Sequence, residues 1–300
     1  MANIFKKIGI KNIVITSIVV VVGISGGLAI GIVLGKVLSK GKGYTYEAPI
    51  DTGLEQDYDA LMQRYAENPD KENYRPFEIA NISWLKYAQE THTHSVAHCV
   101  VTAAIVKQHV YTHDVRYNDT FYSESVFHSS IKKGGFRFYQ QGDVVNRYTA
   151  SNIQPEGTAT WDESTLLVKS KAEHEEIWGK SVDRPVIYIF SEKTVLEEKL
   201  VEEDNGYVID MELDPKTANE RYKRQMIGMS ALEQPPVFHK LHIAVHCDKE
   251  YNINKMVVQE SYTVYVVGRN DSDAVNNVYF FHNSDETIPE LTENFNYGGY

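Results

Sequence analysis

The feature that most constrains this chain is an uncharged run: between Lys11 and Lys36 no residue carries a charge. Asn12 to Gly35 is dominated by Ile, Val, Leu and Gly. As a helix it would reach roughly 36 Å, enough to cross a hydrocarbon core of about 30 Å with some tilt. A helix satisfies its own backbone groups there, as an open strand would not. A cleaved secretory signal would have a shorter apolar region and a small-residue cleavage site. Here the chain continues Gly35-Lys36-Val37-Leu38 instead. The expectation is therefore a single-pass anchor at the cell membrane. Lys6, Lys7 and Lys11 before the run balance Lys36, Lys40 and Lys42 after it, so charge counting leaves the orientation tied. The segment before the run is too short to fold, so the function lies in the C-terminal part; the favoured orientation has the N-terminus inside and the C-terminal body outside the cytoplasm.

Gly23, Gly27, Gly31 and Gly35 recur every fourth residue and so share one helical face. Small residues in that register let membrane helices approach closely, pointing to a homodimer or another helical partner. Glycine is also common in membrane helices generally, so the stripe has an ordinary explanation too.

The net charge of −11 understates the acidity of the body, because the six basic residues up to Lys42 all precede the first acid, Glu47. A body this anionic is repelled by phosphate backbones, which excludes nucleic acid as a natural partner. The 20 tyrosines and the crowding of Val, Ile, Thr and Phe lean towards strands.

Periodicity then organises the chain. Leu54 to Ala66 and Pro76 to Glu90 have helical spacing, the second with Pro near its start. From Ser95 the pattern becomes extended, with Tyr117-Asn118-Asp119, Lys133-Gly134-Gly135 and Gln141-Gly142-Asp143 as hairpin connections. A short helix is expected around Thr165 to Trp178 and a compact apolar strand at Val186 to Phe190. Tyr207 to Leu213 alternates as a strand, and Asp214-Pro215 reads as the cap and first residue of a helix whose stripe is Ala218, Tyr222, Met226 and Met229. Further strands follow to His282. The fold class expected is α+β: a curved, largely antiparallel sheet with helices packed on one face, preceded by one transmembrane helix. The divisions are a tail at 1–11, the span at 12–35, a juxtamembrane linker and helical stalk at 36–75, an extracytoplasmic domain at 76–285 and a loose acidic tail at 286–300.

The run Tyr207-Val208-Ile209-Asp210-Met211-Glu212-Leu213-Asp214-Pro215-Lys216-Thr217-Ala218, followed by Tyr222-Lys223-Arg224-Gln225-Met226, resembles a segment of poorly characterised, membrane-anchored bacterial extracytoplasmic proteins. The order of strands, helices and long hairpins over about residues 76–285 is similar to that of lipoprotein-carrier domains. That resemblance implies a curved sheet holding acyl chains beneath its helices, and it carries over no ligand-binding residue.

The chemistry-bearing residues are few. His92, His94 and His98 share one side of an extended segment and are the only plausible metal ligands; the ordinary alternative is half-exposed sheet-surface histidines. Strict alternation puts His242 and His246 on one side of their strand and His239 on the other. Cys99 and Cys247 fall on apolar sides. If their strands are neighbours a disulfide is one outcome, and two buried thiols are the other. Met211, Ala218, Tyr222, Met226 and Met229 would line an apolar pocket or an ordinary core. No catalytic signature stands out and no cofactor is expected. The expected function is a non-enzymatic, membrane-anchored domain binding an apolar or lipid-like ligand at the cell envelope. The alternative is a scaffold for an envelope protein, self-associating through the glycine face.

Overall fold

The computed structural model describes residues 52–103, 106–130, 133–153, 159–178, 182, 187–229, 234–265, 269–291 and 293. Eleven strands form one antiparallel sheet: β1 (His92–Ala103), β2 (Val106–Tyr117), β3 (Thr120–Ser129), β4 (Lys133–Gln141), β5 (Val144–Ile153), β6 (Ala159–Ser170), β7 (Val195–Glu203), β8 (Gly206–Leu213), β9 (Gln234–Asp248), β10 (Ile253–Tyr265) and β11 (Arg269–His282). Their order across the sheet is β6-β5-β4-β3-β2-β1-β11-β10-β9-β8-β7. The chain starts at the centre, walks outward to β6, crosses to the far edge at β7 and walks back until its last strand lies beside its first.

Alternation explains the two faces. In β1, Ser95, Ala97, Cys99, Val101 and Ala103 are buried on one face, while His92, His94 and His98 occupy the other, outer face. Four helices cover the first face: α1 (Tyr58–Glu67), α2 (Pro76–Gln89), α3 (Lys171–Trp178) and α4 (Glu220–Met229). Helix α2 packs on β7, β8 and β10, α4 on β9, and α3 on β5, β6 and α4, while α1 lies on α2. Helix α1 begins where the Asp57 carboxylate accepts the Ala60 N–H at 3.0 Å. In α2, Pro76 opens the first turn and the Glu78 carboxylate accepts the Arg75 N–H at 2.9 Å, satisfying one donor that a helix start leaves unpaired. Phe77, Ile79, Ala80, Ile82 and Tyr87 of α2 are buried and join one continuous core with Ile209, Leu213, Leu241, Ile243, Met256 and Val258 from the sheet.

The fold is thus α+β, with an antiparallel sheet and helices on one face. The membrane component of the expected fold class is corrected. The anticipated span at 12–35, with Gly23, Gly27, Gly31 and Gly35, lies outside the described residues, and among those described no helix is long and apolar enough to cross a membrane. The longest, α2, has 14 residues and reaches only about 21 Å, short of a bilayer core. The single-pass, cell-membrane localisation and the lipid contact and dimer built on that anchor lose their structural basis together.

Three local expectations also change. The apolar run at Val186 to Phe190 is not a sheet strand where it is described. Ile187, Tyr188, Ile189 and Phe190 are buried and tied by Ile189 N–H to the Ala218 carbonyl at 2.8 Å and by the Asn81 amide to the Phe190 carbonyl at 2.9 Å. Asp214 heads a turn, accepting the Lys216 N–H at 3.0 Å, and α4 starts later, at Glu220. Most of the expected helix at Thr165 to Trp178 is divided between the end of β6 and the shorter α3.

Gly206, where β8 leaves its hairpin, has no room for a side chain: a Cβ there would sit 2.0 Å from the Cys247 carbonyl oxygen. Because that obstacle is backbone, Gly206→Ala should lower stability by about 1–3 kcal/mol. Urea unfolding checks this, and an unchanged midpoint would show that the β8–β9 pairing is looser than described.

Candidate functional site

The helix-side face is filled where a ligand was expected. Met211, Ala218, Tyr222 and Met226 are all 0% exposed and belong to the continuous core; the side chain of Met229 lies outside the described residues. Between them and the sheet sits a polar group rather than an acyl chain. The Glu260 carboxylate, on β10, accepts the Tyr188 hydroxyl at 2.7 Å and the Tyr222 hydroxyl at 3.2 Å. Burial pushes its pKa up to about 7, and the two tyrosine hydrogen bonds pull in the opposite direction. Among the described residues the space between α4 and the sheet is filled by core side chains, so the packing gives no support to an apolar or lipid-like ligand there. A small pocket lies elsewhere among the described residues, beside the C-terminal end of α2, lined by Tyr87, Thr93, Ser95, Asp114, Arg116 and Phe121 among others. Its free volume of about 20 Å³ has room for a water molecule rather than a ligand.

Cys99 and Cys247 are free, buried thiols. Strands β11 and β10 separate β1 from β9, and three strand spacings of about 4.8 Å exceed the reach of a disulfide. Burial raises the pKa of both thiols, that of Cys247 to about 11, so neither is a ready nucleophile.

The outer face is different. The registers His98↔Tyr111 and His109↔His128 put side chains from β1, β2 and β3 on one surface. Their rings stack in a row: His98 on Tyr111 at 4.5 Å and 6°, His98 on His109 at 5.3 Å and 14°, and His109 on His128 at 5.2 Å and 12°. His98 Nε2 and His109 Nδ1 share a hydrogen bond at 3.0 Å. His98 Nε2 and His109 Nδ1 are thus taken up by each other, while His128 Nε2 is buried without a hydrogen-bond partner among the described residues. Lys107 lies two residues before His109 on the same strand face, and Lys133 is directly opposite His128. All three imidazoles are half-buried, and all three titrate below the ordinary histidine value. For His98 the causes are burial, then His109, His128 and Lys107; for His109, burial and Lys107; for His128, burial, then His109 and Lys133. Among the described residues no carboxylate forms an ion pair with any of the three.

The three histidines singled out by spacing do not converge. His92 packs edge-on against Tyr117 at 4.7 Å, His94 stacks on Phe281 at 4.2 Å and bonds Ser284 at 2.6 Å, and only His98 joins the row. Among the described residues no group of three or more His, Cys, Asp or Glu is placed to hold a metal ion. His109 and His128 were missed because their alternation with Tyr111 is visible in sequence whereas the register that aligns them is not. His239 departs from strict alternation: a register shift in the β9–β10 pairing lets it bond Thr263 Oγ1 at 2.8 Å on the outer face. His242 meets Asp210 at 3.1 Å.

A second outer-face feature is Arg137 of β4, whose side chain is 0% exposed. Its guanidinium pairs with Glu124, lies over the Trp161 ring at 4.5 Å and donates to the carbonyls of Glu290 at 3.1 Å, Leu291 at 2.7 Å and Glu293. The chain after β11 therefore folds back across the outer face, where Leu291 packs on the cluster of Val126, Ala150, Ile153, Ala159 and Trp161.

No family model matches the sequence, and no curated protein matches it. Among solved structures, a DUF1329 family protein from Desulfovibrio piger is a distant, partial match with 11% identity, covering 71% of this chain and 93% of that one at a TM-score of 0.27. Ail, the attachment invasion locus protein of Yersinia pestis, solved in complex with the heparin analogue sucrose octasulfate, matches at 8% identity over 63% of this chain and 96% of that one, at a TM-score of 0.13. Superpositions this loose carry no argument about fold or function. The expected kinship with membrane-anchored proteins bearing a lipoprotein-carrier domain is corrected: no family model matches, and among the described residues no helix is long and apolar enough to serve as the anchor.

Glu260 yields a pH prediction. Its folded-state pKa of about 7 lies above the ordinary 4.5, so the native state favours its protonated form. The stability it contributes is complete below about pH 4.5 and is lost as pH rises through 7, by at most about 3 kcal/mol. Glu260→Gln should remove that dependence, making the variant gain on the wild type between pH 5 and 8 in denaturant titrations. Parallel stability profiles would show that the carboxyl is not held as described.

Proposed function

We propose that the chain is a non-catalytic binding domain that takes an oxyanion, such as the phosphate, sulfate or carboxylate group of a small molecule, at the row of His98, His109, Tyr111 and His128. The observation that carries this reading is a cluster of protonatable rings and ammonium groups with no ion-paired carboxylate among the described residues. Three imidazoles and the ammonium groups of Lys107 and Lys133 gather on one surface of a chain whose net charge is −11, and the groups acting on the three rings all oppose protonation. Such an arrangement is electrostatically unfinished. An oxyanion lying along the ring edges supplies the missing negative charge and accepts N–H hydrogen bonds, which strengthen as the rings become protonated. A chain of net charge −11 repels anions overall, so the row is a local well rather than part of a broad positive field.

The row acts by binding rather than by chemistry. Among the described residues it has a hydrogen-bonded imidazole pair but no thiol beside it, and Cys99, Cys247 and Glu260 lie on the opposite face. Protonation is linked to binding: the free rings titrate low, an oxyanion raises their pKa, and affinity grows as pH falls through the interval between free and bound values. The test is calorimetry with pyrophosphate at pH 6 and pH 8, together with the histidine ring resonances. Binding should be at least tenfold tighter at pH 6, with proton uptake, and His109→Gln/His128→Gln should abolish the difference while keeping the native circular dichroism. Equal affinity at the two pH values, or an unaffected double variant, would remove the proposal.

A further inference from the structure

We propose that Asn205 is a site of spontaneous modification, where attack by the Gly206 main-chain nitrogen converts the asparagine to isoaspartate and aspartate and loosens edge strand β7. Asn205-Gly206 is the one Asn-Gly pair in the sequence. It lies in the hairpin between β7 and β8, whose two-residue turn is Asp204-Asn205. Asn205 is exposed, and among the described residues no group holds its side-chain amide. A following glycine gives the main-chain nitrogen its easiest approach to an asparagine Cγ, because it has no side chain to obstruct the movement. Here the glycine is not replaceable: a Cβ at Gly206 would sit 2.0 Å from the Cys247 carbonyl oxygen. The close packing of β8 on β9 therefore fixes the residue that makes its neighbour labile.

The step needs water and no catalyst. The Gly206 nitrogen bonds to Asn205 Cγ, the bond from Cγ to the side-chain nitrogen breaks, and ammonia leaves with the proton that Gly206 gives up. The product is a cyclic imide. Water opens it at the Cγ carbonyl to give aspartate, or at the main-chain carbonyl to give isoaspartate, which lengthens the main chain by one carbon. Access to the Gly206 nitrogen follows from the place of the hairpin: β7 is a sheet edge paired with β8 alone, so its turn opens without unfolding the rest. The products do not suit the turn. The register Glu203↔Gly206 spans a connection of two ordinary residues, and the added carbon breaks it. The new carboxylate also follows Glu202, Glu203 and Asp204 in sequence. Lys71 and Lys249 both reach Glu202 at 2.8 Å and are already engaged there, so the added charge meets repulsion from its neighbours.

The test ages the full chain at pH 8 and follows it by peptide mapping, with fragmentation that tells isoaspartate from aspartate. Asn205 should convert at least tenfold faster than any other asparagine, and Asn205→Gln should remove that change. In the separated isoaspartate form, the β7 amides should exchange hydrogen faster than in the fresh chain. An intact Asn205 after another asparagine has converted would overturn the proposal, as would β7 amides that exchange alike in the aged and fresh chains.

Discussion

The pairing of β1 with β11 is the interaction on which the rest of this structure depends. It runs from Thr93↔His282 to Thr102↔Asp273 and joins the first strand of the chain to the last. Without it there would be one meander of six strands and another of five, each with an exposed inner edge. With it, both inner edges vanish into the centre of the sheet and only β6 and β7 remain open. Those two edges are defended differently. β6 is interrupted by a register shift near Asp162, where the Asp162 carboxylate accepts the Ser164 N–H at 2.9 Å. β7 carries exposed Glu197, Lys199, Glu202 and Glu203. Irregularity and charge both discourage pairing with a second sheet.

The two faces of this sheet have opposite characters. The helix side is a closed core, tolerating Glu260 only because two tyrosine hydroxyls meet its carboxyl. The outer side holds its charged groups in place with main chain and rings. Arg137 is buried there because the chain's own return segment covers it, and it pairs with Glu124 beneath that cover. Removing either partner would strand a buried charge, which is far costlier than the pair is stabilising. The histidine row, a few rungs along the same strands, has no comparable partner among the described residues. This contrast separates a completed site from an open one on a single surface.

Much of the domain's architecture could be read from the sequence, because local signals dominate it. The alternation of Tyr207 to Leu213, the turn residues Asn118 and Gly142 (both at positive φ) and Pro76 before an apolar stripe each determine structure within a few residues. What could not be read depends on distant partners. The run ending at Phe190 looks like a strand, since four buried apolar residues satisfy that pattern whether or not a ladder forms. Asp214-Pro215 imitates a helix start, yet the chain turns once more before α4. Glu260 lies 34 residues beyond Met226 in sequence, so nothing near the Met stripe announces the carboxyl packed against that helix. His109 and His128 become neighbours only through register, and the acidic tail, read as loose, is held by an arginine more than 140 residues earlier.

Native-state hydrogen exchange across β1 and β11 tests the central claim most directly. If their pairing unites the sheet, the amides along its middle will exchange only through global unfolding, at the same free energy as the protected amides of β3 and β9. Exchange of β7–β11 as a block separate from β1–β6, with β1 and β11 opening at lower free energy than either, would show two independent meanders and contradict this account of the fold.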